Sequence, residues 1–264
     1  MNVFITGAAG GLGRAFAVEC AKRGHDLFLT DIDNKRLDSI KNGLLRRCDI
    51  KAVVYPCDIT QDCAVKEMMA FTEKLDMRFD MLLNVAGVDF EGGFAARESK
   101  QIIDIVKLNV EATLRMTHNV LAHRRRNLPF YIVFVSSLAS MYPVPLKATY
   151  AASKRFLLDF SIALGQEMKA QNVSVLSLCP GGLPTTEQAL NGIAAQGFWG
   201  RATTNRLETV ARRTIARVLK GKRIYIPGVL NRTFSIAGRL VPPCVLARML
   251  HGRWKKAQTK WLSV

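Results

Sequence analysis

A glycine-rich turn after the first apolar run constrains this chain more than any other feature. The run Val3-Phe4-Ile5-Thr6 breaks into Gly7-Ala8-Ala9-Gly10-Gly11-Leu12-Gly13 and then into a helical pattern. Gly7 can adopt a positive φ, Gly11 lets backbone approach a pyrophosphate, and Gly13 lets a helix pack closely on a strand. The helix N-terminus would present free N–H groups to such an anion. The stretch therefore predicts a nucleotide-binding strand, turn and helix, with a plain connector as the alternative.

The next segment supports this interpretation. A helical pattern over 12–23 ends at Gly24, and a second apolar run over 26–30 ends at Asp31. A carboxylate at about this spacing is typical of the acidic residue that binds an adenosine ribose 2′-hydroxyl.

The residues around that carboxylate predict which nicotinamide cofactor is preferred. Asp31 would repel a 2′-phosphate, and neither Ala9-Gly10 nor Ile32 supplies a basic group for it. The sequence thus predicts NAD(H), with NADP(H) as the alternative. Arg36 is the nearest residue that could favour the phosphate.

Strand and helix patterns alternate along the rest of the chain, and 264 residues suffice for one large domain. This alternation predicts an α/β fold of Rossmann type, a doubly wound parallel β-sheet with helices on both faces. We expect one catalytic domain over 1–227, with a substrate-loop insert at 186–205, and a helical tail over 228–264. The further predicted strands are 51–55, 79–83, 130–135, 173–178 and 223–226, and the further predicted helices are 34–47, 61–76, 99–126, 149–171 and 207–219.

Composition limits the compartment and the metal chemistry. No run of about eighteen apolar residues predicts a membrane span, and the first strand leaves no room for a cleavable leader, so we expect a cytoplasmic protein. Six cysteines without a C-x-x-C pair are typical of buried free thiols in a reducing compartment. The four histidines show no ligand spacing, so no metal site is predicted.

Two strand ends bring reactive side chains to the predicted sheet edge. Run 130–135 leads to Ser136 and Ser137, and Tyr150 lies four residues before Lys154. This spacing places the phenol and the ammonium one helical turn apart. A nearby ammonium favours phenolate, so Tyr150 could exchange protons well below its usual pKa of about 10. Taken alone, a Tyr and a Lys four apart on a helix are commonplace.

Together these features resemble the short-chain dehydrogenase/reductase family as far as about Pro227. The resemblance implies an NAD(P)-dependent oxidoreductase that transfers hydride between a nicotinamide cofactor and an alcohol or carbonyl, acting on CH–OH groups. The matching features, in chain order, are the turn Thr6 to Gly13, Asp58, Asn84-Val85-Ala86-Gly87, Asn109, Ser137, Tyr150 with Lys154, and Pro180-Gly181 followed by Thr185.

The resemblance also implies a role for each catalytic residue. Tyr150 would be the acid/base, and Ser137 would hydrogen-bond the reacting oxygen. Lys154 would lower the pKa of Tyr150 and bind the nicotinamide ribose. Asn109 would hold a water that links Lys154 to solvent.

The cofactor contacts are implied in the same way, with Asp58 and Ile59 beside adenine and the residues after Cys179 beside the nicotinamide and phosphates. The full set is Gly7, Ala9, Gly10, Gly11, Leu12, Asp31, Ile32, Asp58, Ile59, Asn84, Ala86, Gly87, Tyr150, Lys154, Pro180, Gly181, Leu183 and Thr185.

Three apolar segments, 88–94, 138–144 and the insert 186–205, are expected to contact substrate. Their composition predicts a small apolar or lipid-like alcohol or carbonyl, although the same side chains could simply cover the cofactor. The substrate contacts we expect are Leu138, Tyr142, Phe198 and Trp199.

The basic charge is concentrated near the C-terminus. Of the net +17, residues 206–264 contribute +13, from 14 Lys/Arg and one Glu. Segments 228–241 and 245–261 read as helices, and in the second Leu246, Met249 and Leu250 share a face that also carries tryptophans. A basic amphipathic tail predicts contact with an anionic membrane surface, at the inner face of a membrane. The alternative is burial in a homodimer or homotetramer.

Two other function classes remain open. The tail and Arg124-Arg125-Arg126 could bind nucleic acid, but no recognised motif or interleaved aromatic platform accompanies them, so this class is disfavoured. A catalytically weak NAD(H)-binding regulatory or scaffold protein would keep the cofactor site without turnover.

Overall fold

The computed structural model describes residues 1–90, 92–185, 190–191, 193–194 and 197–262. The described strands form a seven-stranded sheet in the order β3-β2-β1-β4-β5-β6-β7, in which every pair is parallel. The strands are β1 Asn2–Thr6, β2 Asp26–Asp31, β3 Ala52–Pro56, β4 Met81–Asn84, β5 Phe130–Val135, β6 Val173–Leu178 and β7 Ile224–Tyr225.

The helices alternate with these strands, and short 3-10 segments lie at Phe94–Ala96, Leu138–Met141 and Lys169–Gln171. The α-helices are α1 Gly11–Lys22, α2 Asn34–Leu45, α3 Asp62–Lys74, α4 Ser99–Val106, α5 Thr113–Ala122, α6 Ala148–Glu167, α7 Gly197–Thr203, α8 Leu207–Val218, α9 Val229–Leu240 and α10 Pro243–Leu262.

Alternating side chains of the strands build a core on each face of the sheet. On β1, Val3 and Ile5 pack with the core that includes Phe16 of α1, whereas Phe4 packs on the opposite face. The Phe4 ring stacks on Phe28 with ring centroids 4.8 Å apart. Burial on both faces is what a doubly wound parallel sheet requires, so the predicted Rossmann-type fold is confirmed.

The strand order reverses between β1 and β4, which places the functional edge of the sheet. Thr6 pairs with Thr30 on one side and with Asn84 on the other, so the segments after β1, β2 and β4 emerge together. Ligands of open parallel sheets bind at such a reversal, beyond the carboxyl ends of the strands.

The structure departs from the sequence expectation in several elements. The single helix predicted over 99–126 contains a π-helical turn, Lys107–Ala112, and ends earlier than predicted, at Ala122. β4 begins at Met81, and Phe79 makes only an isolated bridge to Arg124. Helix α7 lies inside 186–205, the segment predicted as the substrate-loop insert.

The expectation of buried thiols was right for only part of the cysteine set. Cys20, Cys57 and Cys179 are buried, whereas Cys63 and Cys244 are exposed. Burial raises the pKa of Cys20 to about 12 and that of Cys57 to about 11. These two groups stay protonated near neutral pH and act as small apolar side chains.

Two glycines of the turn are required by the backbone around them. Gly7 has φ +65°, and a Cβ there would lie 2.6 Å from the backbone nitrogen of Ala86. A Cβ on Gly13 would overlap the carbonyl oxygen of Gly7 and lie 2.8 Å from the Cα of Ala8. The start of α1 therefore contacts the turn directly, with no space for a side chain.

We expect Gly13→Ala to lower the free energy of unfolding by about 3 kcal/mol, because backbone atoms must move to admit the methyl group. Gly43→Ala in α2 is the matched control. A Cβ at Gly43 would meet nothing within 4 Å, so we expect a gain of about 0.5–1 kcal/mol. Urea denaturation of both variants measures the difference, and equal stabilities would contradict the close packing at Gly13.

Candidate active site

A large cavity of about 1630 Å³ lies beyond the carboxyl ends of the strands. Ordinary small-molecule sites occupy about 300–1,000 Å³, so this cavity can hold a dinucleotide together with a second ligand. The predicted site residues on its wall are Gly7, Gly10, Gly11, Leu12, Asp31, Ile32, Asp58, Ile59, Ala86, Gly87, Ser137, Leu138, Tyr142, Tyr150, Lys154, Pro180, Gly181, Leu183 and Thr185.

Three predicted site residues, Ala9, Asn84 and Asn109, do not line this wall. The Asn84 amide is buried and donates to the Thr117 hydroxyl at 3.0 Å, so it lies beneath the cavity. Phe198 and Trp199 belong to α7, but their side chains lie outside the described part of the chain.

Asp31 sits at the carboxyl end of β2 with its carboxylate oriented by backbone N–H groups. Its Oδ2 accepts from the N–H of Ala9 at 3.0 Å, and its Oδ1 accepts from the N–H of Asp33 at 3.3 Å. Ala9 thus acts by orienting the acid. The Arg36 guanidinium, the potential partner of a 2′-phosphate, pairs with Asp33 at 3.2 Å.

The loop after β4 is held against the glycine turn by one hydroxyl. Thr6 Oγ1 accepts from the N–H of Val85 at 3.1 Å and from that of Ala86 at 3.3 Å. Across the cavity, a Cβ on Gly11 would lie 3.0 Å from the Cα of Thr185. The segments after β1, β4 and β6 therefore converge around the N-terminus of α1, where an anion would be bound.

Lys154 is buried beside the end of β5, one turn of α6 after Tyr150. Its Nζ donates to the carbonyl of Val135 at 3.0 Å and lies 5.7 Å from the centroid of the Tyr150 ring. Burial lowers the pKa of Lys154 to about 8, and the charge of Asp89 opposes that shift. The hydroxyl of Ser136 donates to the carbonyl of Lys154 at 2.7 Å, which ties α6 to the end of β5.

Ser137 lies two residues after the end of β5 and lines the cavity. Its Oγ accepts from the N–H of Ala139 at 3.1 Å, where it caps the 3-10 segment Leu138–Met141. A hydroxyl that accepts one bond still carries its own proton, which it can donate to a ligand. Ser137, Tyr150 and Lys154 thus line one wall, as the sequence predicts for a shared ligand.

Asn109 lies in the π-helical turn and is fully buried. Its Oδ1 accepts from the N–H of Val88 at 2.8 Å, and its Nδ2 donates to the carbonyl of Val88 at 2.9 Å and to Ser153 Oγ at 3.1 Å. Both ends of the amide therefore fix the loop after β4. A Cβ on Gly87 would lie 2.9 Å from Asn109 Oδ1 and 3.1 Å from Lys154 Nζ, so this loop packs directly on both groups.

Comparison with known protein families identifies the family to which this chain belongs. A family model described as short chain dehydrogenase matches residues 1–192, which include β1 to β6 and most of the cavity wall. The chain belongs to the short-chain dehydrogenase family.

Among curated relatives of this short-chain dehydrogenase, a very-long-chain 3-oxoacyl-CoA reductase from Laccaria bicolor is 32% identical over 178 residues, covering 65% of this chain and 51% of the relative. The 17-beta-hydroxysteroid dehydrogenase type 3 of Homo sapiens is 29% identical over 181 residues, covering 67% of this chain and 57% of the relative. The chain therefore spans about half the length of the curated relatives it matches.

Solved structures share the fold of this short-chain dehydrogenase. Actinorhodin polyketide ketoreductase with NADPH superposes with a TM-score of 0.75 at 23% identity, covering 86% of this chain and 95% of that one. A short-chain dehydrogenase from Sphingobium yanoikuyae in complex with NADPH gives a TM-score of 0.72 at 24% identity, covering 90% and 92%.

An ion pair beside Tyr150 was not predicted from the sequence. Lys147 Nζ lies 2.6 Å from Asp89 Oδ2 and 5.6 Å from the centroid of the Tyr150 ring, and both charged residues line the cavity. The three-residue spacing between Lys147 and Tyr150 is the sequence signal that could have placed these two side chains close together. Asp89 is 58 residues away in sequence, and no local pattern connects it to the helix.

The predicted apolar face of the last helix is divided between two environments in this short-chain dehydrogenase. Leu250 lines the cavity, together with Phe234 of α9, whereas Met249 is exposed. The residues predicted to share this face therefore meet different surroundings, because α9 and the cavity lie against part of α10. Contact of the tail with a membrane surface stays a prediction.

No helix in the described part of this short-chain dehydrogenase combines the length and apolarity needed to cross a bilayer. Among the described residues, no group of three or more His, Cys, Asp or Glu side chains is placed to hold a metal ion.

Proposed function

We propose that this chain is a nicotinamide-dependent oxidoreductase that interconverts an alcohol and a carbonyl, with Tyr150 as the acid/base. One observation carries the proposal: Tyr150, Lys154 and Ser137 line the same cavity as the glycine turn and Asp31. A proton-transfer group and a nucleotide-binding turn are thereby available to one pair of ligands.

The residues present fit a dinucleotide. The N-terminus of α1 faces the cavity at Gly10 and Gly11, and free N–H groups there favour a pyrophosphate. The Asp31 carboxylate, which the Ala9 N–H orients, would accept from a ribose hydroxyl, and the buried Lys154 lines the same cavity. When bound, a reduced nicotinamide would supply the hydride, and the protein's own groups would handle the proton.

The protein's part in carbonyl reduction is proton delivery and charge stabilisation. Tyr150 would donate its phenolic proton to the carbonyl oxygen as the carbonyl carbon gains hydride, which leaves an alcohol and a phenolate. The Lys154 ammonium would stabilise that phenolate, and the Ser137 hydroxyl would donate to the same oxygen. Oxidation of an alcohol reverses each transfer. Asn109 would hold a water that links Lys154 to solvent.

We propose a small apolar or lipid-like substrate. Phe90, Leu138, Tyr142, Val144 and Phe234 line the cavity beside the catalytic group, and such a wall favours an apolar ligand. The relatives named as 3-oxoacyl-CoA reductases and as a hydroxysteroid dehydrogenase are consistent with this class. Contacts from Phe198 and Trp199 remain predictions.

The proposed division of the chain places the catalytic domain at 1–227, with its insert at 186–205, and the tail at 228–264. A cytoplasmic location beside a membrane surface and assembly as a homodimer or homotetramer complete the proposal. Size-exclusion chromatography with light scattering measures the assembly state directly.

The deciding experiment is a screen of purified protein with NAD⁺ and NADP⁺ against a chain-length series of apolar alcohols, and with the reduced cofactors against the matching ketones. We expect turnover that improves with chain length as more apolar surface is buried. NADH binding without turnover across the whole panel would instead support the regulatory or scaffold alternative.

We expect NADH to bind at least about tenfold more tightly than NADPH, because the Asp31 carboxylate would repel a 2′-phosphate. Asp31→Asn removes the charge and should reduce that preference. Asp38→Asn, on the exposed surface of α2, is the matched loss of charge and should leave it unchanged. Fluorescence titration gives each Kd, and tighter NADPH binding by the unaltered protein would refute the preference.

A further inference from the structure

Helix α9 buries polar side chains and exposes apolar ones. Asn231 and Ser235 are buried, whereas Val229, Ile236 and Leu240 are 76%, 62% and 82% exposed. Asn231 Nδ2 donates to the carbonyl of Pro227 at 2.7 Å, and Ser235 Oγ donates within its own helix. Asn231 Nδ2 and Ser235 Oγ are thus hydrogen-bonded, whereas Asn231 Oδ1 has no partner among the described residues. The three large apolar side chains lie on the exposed side of the helix.

Helix α10 extends this outward surface. Val245 is 49% exposed and Met249, one turn later, is 65% exposed. The spacings on both helices, seven and four residues, keep these side chains on single helical faces. We call the set Val229, Ile236, Leu240, Val245 and Met249 the docking face.

Charge around the docking face favours one kind of occupant. Residues 228–264 contain seven Lys/Arg and no Asp/Glu. Arg232 and Arg248 are exposed on the same two helices. An anionic lipid surface offers both apolar chains and complementary charge. A second copy of the chain would bring two basic surfaces together, because a two-fold interface pairs like with like.

The two helices of the docking face also form part of the cavity wall. Phe234 and Leu250 point into the cavity, and a Cβ on Gly238 would lie 2.9 Å from the ring of Tyr142. The exposed apolar surface and the cavity-lining side chains Phe234 and Leu250 therefore lie on different sides of the same two helices.

We propose that the docking face binds the surface of an anionic bilayer and that an apolar substrate reaches the cavity from that bilayer. The second half of this inference depends on the oxidoreductase function proposed above, whereas docking itself does not. Docked in this way, the protein would take substrate from the lipid beside α9 and α10.

Co-sedimentation of the full chain with phosphatidylcholine vesicles, with and without phosphatidylserine, tests docking. We expect binding that requires the anionic lipid, and at least about a tenfold loss in the double variant Ile236→Asp, Leu240→Asp. The control Leu45→Asp, Leu75→Asp places the same charges on exposed leucines of other helix ends and should bind normally. NADH titration of each variant verifies that the nucleotide site is intact.

A second variant, Val245→Asp with Met249→Asp, examines the other helix and should also lose binding. Equal sedimentation of the unaltered protein and both docking-face variants would overturn the proposal. A dimer that dissociates in these variants, without vesicle binding by the unaltered protein, would assign the face to a second copy and overturn it equally.

Turnover measurements distinguish docking on the bilayer from delivery of substrate out of it. With a water-soluble ketone we expect unchanged kcat in the docking-face variants, and with a vesicle-embedded ketone we expect a loss. Docking without turnover on any substrate would refute the oxidoreductase function and leave docking standing. Equal loss with both ketones would overturn substrate delivery from lipid.

Discussion

Replacing Tyr150 by phenylalanine is expected to lower kcat for carbonyl reduction by about 10²–10⁴-fold while leaving the Kd of NADH within about twofold. The substitution removes only the phenolic O–H. The ring itself keeps its two neighbouring ammonium groups, those of Lys147 and Lys154, which lie 5.6 and 5.7 Å from its centroid. Loss of turnover would then report loss of the proton donor, and NADH absorbance with the best substrate of the screen measures it.

Tyr55→Phe is the matched control for this prediction. It removes a hydroxyl from β3, where the ring packs 5.2 Å from Phe71 and outside the cavity wall. We expect its kcat to equal that of the unaltered protein. If Tyr150→Phe also kept full activity, another group would have to supply the proton, and the proposed mechanism would be wrong.

Replacing Lys154 by methionine is expected to abolish most turnover and, at the same time, to stabilise the fold. The ammonium is buried, and burial lowers its pKa from 10.5 to about 8. At pH 7 folding therefore carries the cost of burying a charge, which methionine removes. We expect a gain of about 1–3 kcal/mol, less than the full shift implies because Val135 loses a hydrogen bond.

The pH dependence of that gain follows from the sign of the shift. Between pH 8 and 10.5 the unfolded chain binds the lysine proton and the folded chain does not, so the stability of the unaltered protein rises with pH. The advantage of Lys154→Met should therefore be full below pH 8 and shrink toward pH 10.5. Urea denaturation across this range measures it, with exposed Lys169→Met as control. A less stable variant at pH 7 would contradict the cost assigned to the buried ammonium.

The sequence predicted those elements whose signal is local. β5 and β6 have the predicted bounds, 130–135 and 173–178. β5 is a continuous run of aromatic and β-branched residues, and β6 is a mostly buried run of Val and Leu with two serines. The glycine turn and the spacing of Tyr150 and Lys154 are also local sequence signals, and the residues of both line the same cavity. Parallel strands then bring their carboxyl ends to one edge, so the candidate site follows from the order of motifs.

Features that depend on distant partners were not visible in the sequence. The π-helical turn at Asn109 preserves helical composition, so the apolar spacing over 99–126 conceals it. The pairing of Asp89 with Lys147 requires the folded loop after β4. Helical periodicity placed Leu250 on an apolar face but did not say that this face meets a cavity.

The uniform direction of the strands has a practical consequence for experiments on this protein. Segments that precede the strands lie at the edge of the sheet formed by the amino ends of the strands. Asn127 is exposed in one of these segments, just before β5. Exposed loop tips tolerate insertion and labelling. A fluorophore or surface tether attached at Asn127 would leave nucleotide, substrate and lipid free to approach the opposite edge, where the carboxyl ends of the strands lie.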